Sequence, residues 1–141
     1  MRSVAYFSTA VEPLSHEDLE ELAGECAKSD GNVGITGMLL HSHGHFLQAI
    51  EGPCSTVSDL LVRIASDRRH TDIRIISDRI IPRREFEGKA LGFRNLDELP
   101  PGTPYLNPFS YEAFAADPDL AMLVLHFFFR SRIARRRMQA S

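Results

Sequence analysis

The 141-residue sequence predicts an α+β domain with a ferredoxin-like βαββαββ sheet, two helices on one face and two C-terminal helices on the other. The first observation is a β-hairpin, formed by two apolar runs between Gly34 and Gly52 that meet at Ser42-His43-Gly44. The second is that one amphipathic helical segment precedes this hairpin and another follows it. The third is a strongly apolar C-terminal segment, expected to cover the remaining sheet face or to form a subunit contact.

The first strand is expected at residues 3–8. A helix follows over about residues 16–28, and Ser15 with Asp18 forms a plausible capping pair at its start. Its apolar stripe recurs at helical spacing and comprises Leu19, Leu22, Ala23 and Cys26. The polar stretch 29–32 is expected to be a loop that delivers the chain to the hairpin.

The second helix is expected to begin near Ser55 or Thr56 and to stop around residues 67–70. Its buried stripe comprises Val57, Leu60, Leu61 and Ile64. A β-branched run over residues 73–81 favours a strand, which Pro82 breaks. The last strand is expected near residues 86–93.

Four prolines make residues 94–109 a loop, and two helices are expected at 110–116 and 118–137. Residues 1–93 are assigned to the core of the domain, which contains the predicted sheet and the two helices on its first face. Residues 94–141 are assigned to a loop and helical extension of the same domain.

The composition limits the classes of function. A net charge of -3 argues against general nucleic-acid binding, and two cysteines outside any CxxC pair suit a reducing cytosol. No signal peptide or membrane span is visible, so a cytoplasmic protein without membrane contact is expected. Arginines crowd the end of the chain, where solvated charges that suit the helix dipole are the favoured interpretation. They are Arg130, Arg132, Arg135, Arg136 and Arg137.

The polar residue that stands out is Gln48 in the second hairpin strand. Period-two alternation places it on one face with Phe46 and Ile50, so its amide is expected to be buried. Because an unsatisfied buried amide costs roughly 1–3 kcal/mol, a polar group should face it. Gln48 is either a structural amide that pins the hairpin or part of a functional site.

Four motifs and one tyrosine occur in a characteristic order and spacing. They are Gly34-Ile35-Thr36-Gly37, Phe46-Leu47-Gln48-Ala49-Ile50-Glu51-Gly52, Asp67-Arg68-Arg69-His70 and Arg84-Glu85-Phe86, together with Tyr6. In these features the chain resembles one family, the BLUF domains, which sense blue light with a flavin. The resemblance covers roughly residues 3–93. It implies FAD, held non-covalently between the two helices, and hydrogen bonds that join Tyr6, Gln48 and the flavin.

The resemblance also implies the photochemistry. Light makes the flavin an oxidant, Tyr6 gives up an electron and a proton through Gln48, and the amide is left rearranged. Because an amide has a donor at one end and an acceptor at the other, its rearrangement changes the hydrogen bonds around it. A red-shifted state then biases the last strands and C-terminal helices, which signal to a protein partner or to a second copy.

Further flavin contacts are implied at matching positions, and some of these depart from the family pattern. The implied contacts are Ser29, Asp30, Asn32, Arg63, Ile64, Asp67 and His70. Most of the family has two asparagines where this chain has Ser29 and Asp30, and an ionised Asp30 only accepts hydrogen bonds. If Asp30 faces the flavin, its pKa should rise until it can donate as a neutral acid; alternatively, Asn32 takes this role. Lys89 and Leu91 stand where the family often has Trp and Met.

Other interpretations remain open from the residues alone. Arg63 and residues 67–70 are also explained by a solvated helix flank and a helix end. His41, His43 and His45 could offer imidazoles to a metal, although no metal site is expected, and an acylphosphatase-like hydrolase lacks its glycine-rich phosphate loop. The expected protein is not an enzyme. A flavin-free relative that acts as a protein-interaction module is the alternative to a photoreceptor.

Overall fold

The computed structural model describes residues 1–88 and 90–133, with the side chains of residues 29–32 left out. Five strands, four α-helices and one 3-10 turn make up this part of the chain. In chain order they are β1 (Arg2–Ala10), α1 (His16–Asn32), β2 (Thr36–Ser42), β3 (His45–Gly52), α2 (Cys54–Ser66), β4 (His70–Ile80), β5 (Gly92–Asn95), the 3-10 turn (Leu96–Glu98), α3 (Tyr111–Ala116) and α4 (Pro118–Arg130).

The strands form one sheet in the order β4-β1-β3-β2-β5. All neighbouring strands are antiparallel except β2 and β5, which are parallel. Strands β1 and β2 lie on either side of β3, so the chain passes through α1 as a split βαβ unit. The ferredoxin-like prediction is confirmed.

The predicted hairpin is formed by β2 and β3, with a turn at His43 and Gly44. Both turn residues have positive φ, 49° and 80°, as a two-residue turn of this handedness requires. Near the other end, a Cβ on Gly37 would lie 2.1 Å from the Ala49 carbonyl oxygen, so only glycine lets the two strands approach this closely.

The C-terminal helices α3 and α4 cover one face of the sheet, as predicted. Their buried residues join strand residues such as Leu40 and Leu47 in one large core. The members from the two helices are Phe114, Ala121, Val124, Leu125 and Phe128. The three consecutive phenylalanines of α4 contribute to this packing: Phe128 is 1% exposed, and the half-buried Phe127 and Phe129 pack on Tyr105 and Phe86.

Helix α1 continues to Asn32, so the prediction of a loop at residues 29–32 is wrong. Ser, Asp, Gly and Asn favour turns, but the positive φ that ends the segment belongs to Gly34, at 74°. The side chains of Ser29, Asp30 and Asn32 lie outside the described residues.

Two later boundaries are also wrong. Strand β5 begins at Gly92 rather than near Phe86, because the Phe86 N–H donates to a carboxylate, that of Glu51, instead of to a neighbouring strand. Helix α4 ends at Arg130 rather than at residue 137, since the next residue, Ser131, is extended (φ −68°, ψ 142°). The arginines at 135–137 and Lys89 lie outside the described residues.

The most apolar helix is short. Helix α4 has 13 residues and is therefore about 20 Å long. Within residues 1–88 and 90–133, no helix combines the length and the apolar character that crossing a bilayer requires.

Candidate functional site

Tyr6 and Gln48 lie side by side at the centre of the sheet. They are directly opposite each other in the β1–β3 register, and both side chains face α1 and α2. The Tyr6 hydroxyl donates a hydrogen bond to Gln48 Oε1. Gln48 is only 5% exposed, so the expectation of a buried amide that meets a polar group is confirmed.

A cavity opens above this pair, between α1 and α2. It contains about 510 Å³ of space between atoms, its open mouth included. Its floor is the sheet, where Leu39 and Phe46 flank the Tyr6–Gln48 pair. At this cavity, the buried side-chain amide of Gln48 borders an open space.

The walls of the cavity come from the apolar stripes of the two helices. Helix α1 contributes Leu22 and Cys26, and α2 contributes Leu60 and Ile64. The two stripes pack on the sheet as separate clusters, one around Leu19 and Phe46 and the other around Val57 and Ile50. The apolar side chains of α1 and α2 therefore form two separate walls of the cavity.

Arg69 spans the mouth of the cavity. Its guanidinium pairs with Asp67 at the end of α2 and, through Nη1, with Glu25 Oε2 of α1 at 2.8 Å. The hydrogen bonds from Arg69 hold the pKa of the Asp67 carboxyl below its usual range. The same two carboxylates raise the pKa of Arg69, against the opposing effect of burial. This ion-pair cluster ties the two helices together beside the opening.

His70 lies at the edge of the cavity floor, next to Tyr6. Its Nε2 lies 2.9 Å from the Ile64 carbonyl oxygen, which can only accept, so this nitrogen carries the proton. Its Nδ1 lies 2.9 Å from the Ser8 hydroxyl. The ring approaches Tyr6 edge-on at 6.2 Å between centroids. His70 thus joins the end of α2 to β1 next to the Tyr6–Gln48 pair.

The structure brings most of the expected site residues together. Those that line the cavity are Tyr6, Gln48, Ile64, Asp67 and His70. Arg63 is exposed on α2 and lies outside the lining. Ser29, Asp30 and Asn32 have no described side chains, so their expected contacts stay predictions.

Sequence reasoning missed several lining residues. Arg69 belongs to the Asp67-Arg68-Arg69-His70 motif, but its partner Glu25 is 44 residues away in the chain, so no local pattern indicates its position. The apolar lining has the sequence pattern of ordinary core positions; it consists of Leu22, Cys26, Leu39, Phe46 and Leu60. The available signal was that the two helical stripes face one sheet surface that also carries a buried amide.

The three histidines of the hairpin have different surroundings. His41 is buried with its Nδ1 3.0 Å from Asn95 Oδ1, and His45 pairs with Thr9 at 3.1 Å. His43 is exposed, 3.3 Å from Asp97. Across the described ranges, no group of three or more His, Cys, Asp or Glu side chains has a geometry that could hold a metal ion.

The chain is similar to known proteins in sequence and in fold. Among curated relatives, photoactivated adenylate cyclase subunit beta of Euglena gracilis is 37% identical over 76 residues. The match covers 54% of this chain but only 9% of that protein. The chain thus corresponds to less than a tenth of the length of this relative.

Solved structures share the fold. BlrB, a BLUF protein in its dark state, is 27% identical with a TM-score of 0.65, and the match covers 86% of this chain and 82% of BlrB. Klebsiella pneumoniae BlrP1 with FMN and cyclic diGMP is 26% identical, also with a TM-score of 0.65, over 70% of this chain and 27% of BlrP1.

The family model that describes sensors of blue-light using FAD, BLUF, matches residues 1–92. These residues include four of the five strands, both helices that border the cavity and the Tyr6–Gln48 pair. Since the match extends over 92 of 141 residues, this chain belongs to the BLUF family of flavin-dependent blue-light sensors.

Proposed function

We propose that this chain is a blue-light photoreceptor that binds FAD non-covalently in the cavity between α1 and α2. The observation that carries the proposal is the hydrogen bond from Tyr6 to Gln48 on the floor of that cavity. Both groups are buried next to the cavity. The phenol of Tyr6 can donate an electron, and the amide of Gln48 can change the hydrogen bonds that it makes. Membership of the BLUF family supports the assignment.

The cavity suits a flat ring that has a polar edge. Its walls are aliphatic, which favours an apolar ring face, and its polar floor can hydrogen-bond the ring edge. Gln48 uses Oε1 to accept from Tyr6, and its Nε2 is a hydrogen-bond donor on the floor of the cavity. A carbonyl oxygen on the ring would satisfy that donor.

When bound, the flavin supplies absorption of blue light and an excited state that can oxidise a phenol. Tyr6 is the phenol in position, and its existing hydrogen bond is a path for the hydroxyl proton to Gln48 Oε1. Rotation or tautomerisation of the Gln48 amide then exchanges its donor and acceptor ends. After the electron and proton return to Tyr6, the altered amide orientation is the stored signal.

The remaining site residues are proposed to bind or frame the cofactor. Ile64 offers an apolar wall, Asp67 lies in the Arg69 cluster at the mouth, and His70 borders the floor. From the sequence, Ser29, Asp30, Asn32 and Arg63 are proposed as further contacts. If Asp30 faces the ring, the Asp30→Asn variant should bind FAD more tightly; an unchanged dissociation constant would exclude that contact.

The signal is proposed to leave through α3 and α4, towards a protein partner or a second copy, and not through an enzymatic reaction of this chain. Leu123 on α4 is 49% exposed, which gives that helix an apolar group on its outer surface. The photochemical test below does not depend on the identity of the partner.

Absorption spectra before and after blue illumination test the proposal. The purified protein should be yellow and should shift to the red in light. Gln48→Leu should keep the flavin and lose the shift, and Tyr6→Phe should lose photocycling. Tyr111→Phe is the matched control, because Tyr111 stacks against Arg74 away from the cavity and should cycle normally.

Two outcomes would contradict this function. A colourless protein that does not take up added FAD or FMN would favour the flavin-free interaction module. A yellow protein in which Gln48→Leu and Tyr6→Phe cycle like the parent would show that the Tyr6–Gln48 pair does not perform the photochemistry.

A further inference from the structure

Glu51 is fully buried, with 0% of its surface exposed, and the proposed photochemistry does not use its carboxylate. It lies on β3, three residues after Gln48, and strand alternation turns its side chain to the opposite face of the sheet. Burying an ionised carboxylate is expensive unless donors surround it. The groups that donate hydrogen bonds to the Glu51 carboxylate therefore indicate the structural role of this residue.

Both carboxylate oxygens accept hydrogen bonds from one segment, the irregular stretch between β4 and β5. The Glu85 N–H donates to Oε2 at 2.8 Å, and the Phe86 N–H donates to Oε1 at 2.7 Å. The Thr36 hydroxyl of β2 donates to Oε1 at 2.8 Å. Two consecutive backbone amides thus lack strand partners and depend on a single side chain of β3.

Phe86 continues this connection to the C-terminal helices. Its ring is fully buried and stacks on His126 of α4, with 4.7 Å between centroids and an interplanar angle of 6°. Phe129 of the same helix meets the Phe86 ring edge-on at 5.2 Å. A displacement of the Glu85–Phe86 backbone must therefore change how α4 packs, because close-packed rings leave no space to absorb it.

We propose that Glu51 is a positioning residue that couples the Gln48 amide on one face of the sheet to α4 on the other. The proposal rests on the photoreceptor function proposed above. Gln48 and Glu51 lie about 10 Å apart along one stiff strand. A light-driven change in the bonds of Gln48 shifts β3, the carboxylate carries the Glu85–Phe86 backbone with it, and the Phe86 ring changes its contact with α4. The two orientations of Gln48 supply the two states that such coupling requires.

The test measures hydrogen exchange of α4 and the absorption red shift in the same flavin-loaded samples of the 141-residue chain, in darkness and under blue light. The parent protein should show the red shift together with a light-dependent change of exchange in α4 peptides. Glu51→Gln replaces one acceptor oxygen by an NH2 group, which cannot accept from a backbone N–H. It should keep the red shift and lose the light-dependent change in α4.

A second variant covers the case in which Glu51→Gln does not fold. Phe86→Leu leaves the Glu51 carboxylate and the two backbone amides in place but removes the ring that stacks on His126. This variant should also keep the red shift and lose the light-dependent change of hydrogen exchange in α4. Phe109→Leu is the matched control: Phe109 contacts Phe7 and Phe114 on the same sheet face, and this variant should keep both signals.

The outcomes separate this inference from the proposed function. If the parent shifts to the red without any change in α4, or if Glu51→Gln or Phe86→Leu keeps the full α4 response, the coupling role of Glu51 is overturned while the photoreceptor stands. If the parent shows no red shift, the photoreceptor function fails, and the coupling proposal fails with it.

Discussion

The two faces of the sheet are built from alternate residues of the same strands, yet they differ in packing. On the α3–α4 face, Leu47 and its neighbours belong to one continuous core with rings such as Phe114 and Phe128. On the α1–α2 face, the next residue, Gln48, lies under a cavity between two smaller clusters. The comparison teaches that one face can hold the fold together while the other keeps an open space for a ligand.

The largest effect should follow from truncating the filled face. Phe128→Ala removes a ring that is 1% exposed from the continuous core, so the free energy of unfolding should fall by about 3–5 kcal/mol. Leu22→Ala, on the cavity wall, should cost only about 1 kcal/mol, because this side chain already borders empty space. Urea unfolding of flavin-free protein measures both. If both variants lost the same free energy of unfolding, the conclusion that the α3–α4 face contributes more to stability than the α1–α2 face would be wrong.

A second prediction concerns the sheet that both faces share. Gly37→Ala places a methyl group 2.1 Å from the Ala49 carbonyl oxygen and forces β2 away from β3, so stability should fall by about 2 kcal/mol or more. Gly24→Ala is its control, since a Cβ there meets nothing within 4 Å and α1 should gain about 0.5–1 kcal/mol. Thermal unfolding that moves both variants in the same direction would contradict this contrast.

The third prediction uses pH to probe the filled face. Burial lowers the pKa of His126, and this effect outweighs the opposing attraction of the Glu85 carboxylate, 3.9 Å away. Among the other nearby charges, Arg130 and Arg79 also lower the pKa of His126, whereas Glu51 raises it slightly. The unfolded chain therefore binds a proton more readily than the folded one. This contribution to stability should be complete above about pH 6.5 and should decrease as the pH falls through the lower folded pKa.

His126→Phe tests this assignment. Phenylalanine can keep the stacking on Phe86 but does not titrate, so the loss of stability below about pH 6.5 should become smaller in urea unfolding at a series of pH values. A pH profile identical to that of the parent would mean that His126 is not the group responsible.

The smallest effect is expected at the mouth of the cavity. The Arg69 and Glu25 side chains are 45% and 56% exposed, so Glu25→Gln should change the free energy of unfolding by less than about 1 kcal/mol. It should still speed the release of bound flavin, because it removes a tie between the two helices beside the opening. Stopped-flow release measurements check this. A slower release would assign the ion pair a role in keeping the cavity open.

The errors of the sequence interpretation occur where local signals conflict with distant partners. Ser, Asp, Gly and Asn favour turns, so a loop is predicted at residues 29–32, but the helix continues to Asn32 and the positive φ occurs only at Gly34. Phe86 read as a strand residue because aromatic side chains favour strands, but its N–H is bound by Glu51, 35 residues earlier. Neither outcome is visible in a local pattern.

The order of elements, the hairpin with its turn, the burial of Gln48 and the resemblance to the BLUF family were determined by the sequence alone. Alternation and helical periodicity are local properties, so a few neighbouring residues are enough to reveal them. The resemblance to the BLUF family also predicted that Tyr6 is the partner of Gln48, and the structure confirms this pair. Only the tertiary structure decided that Arg69 reaches Glu25 across the mouth and that Glu51 holds Phe86. These pairs depend on strand register and on the positions of two helices over the sheet, which arise when distant segments pack together.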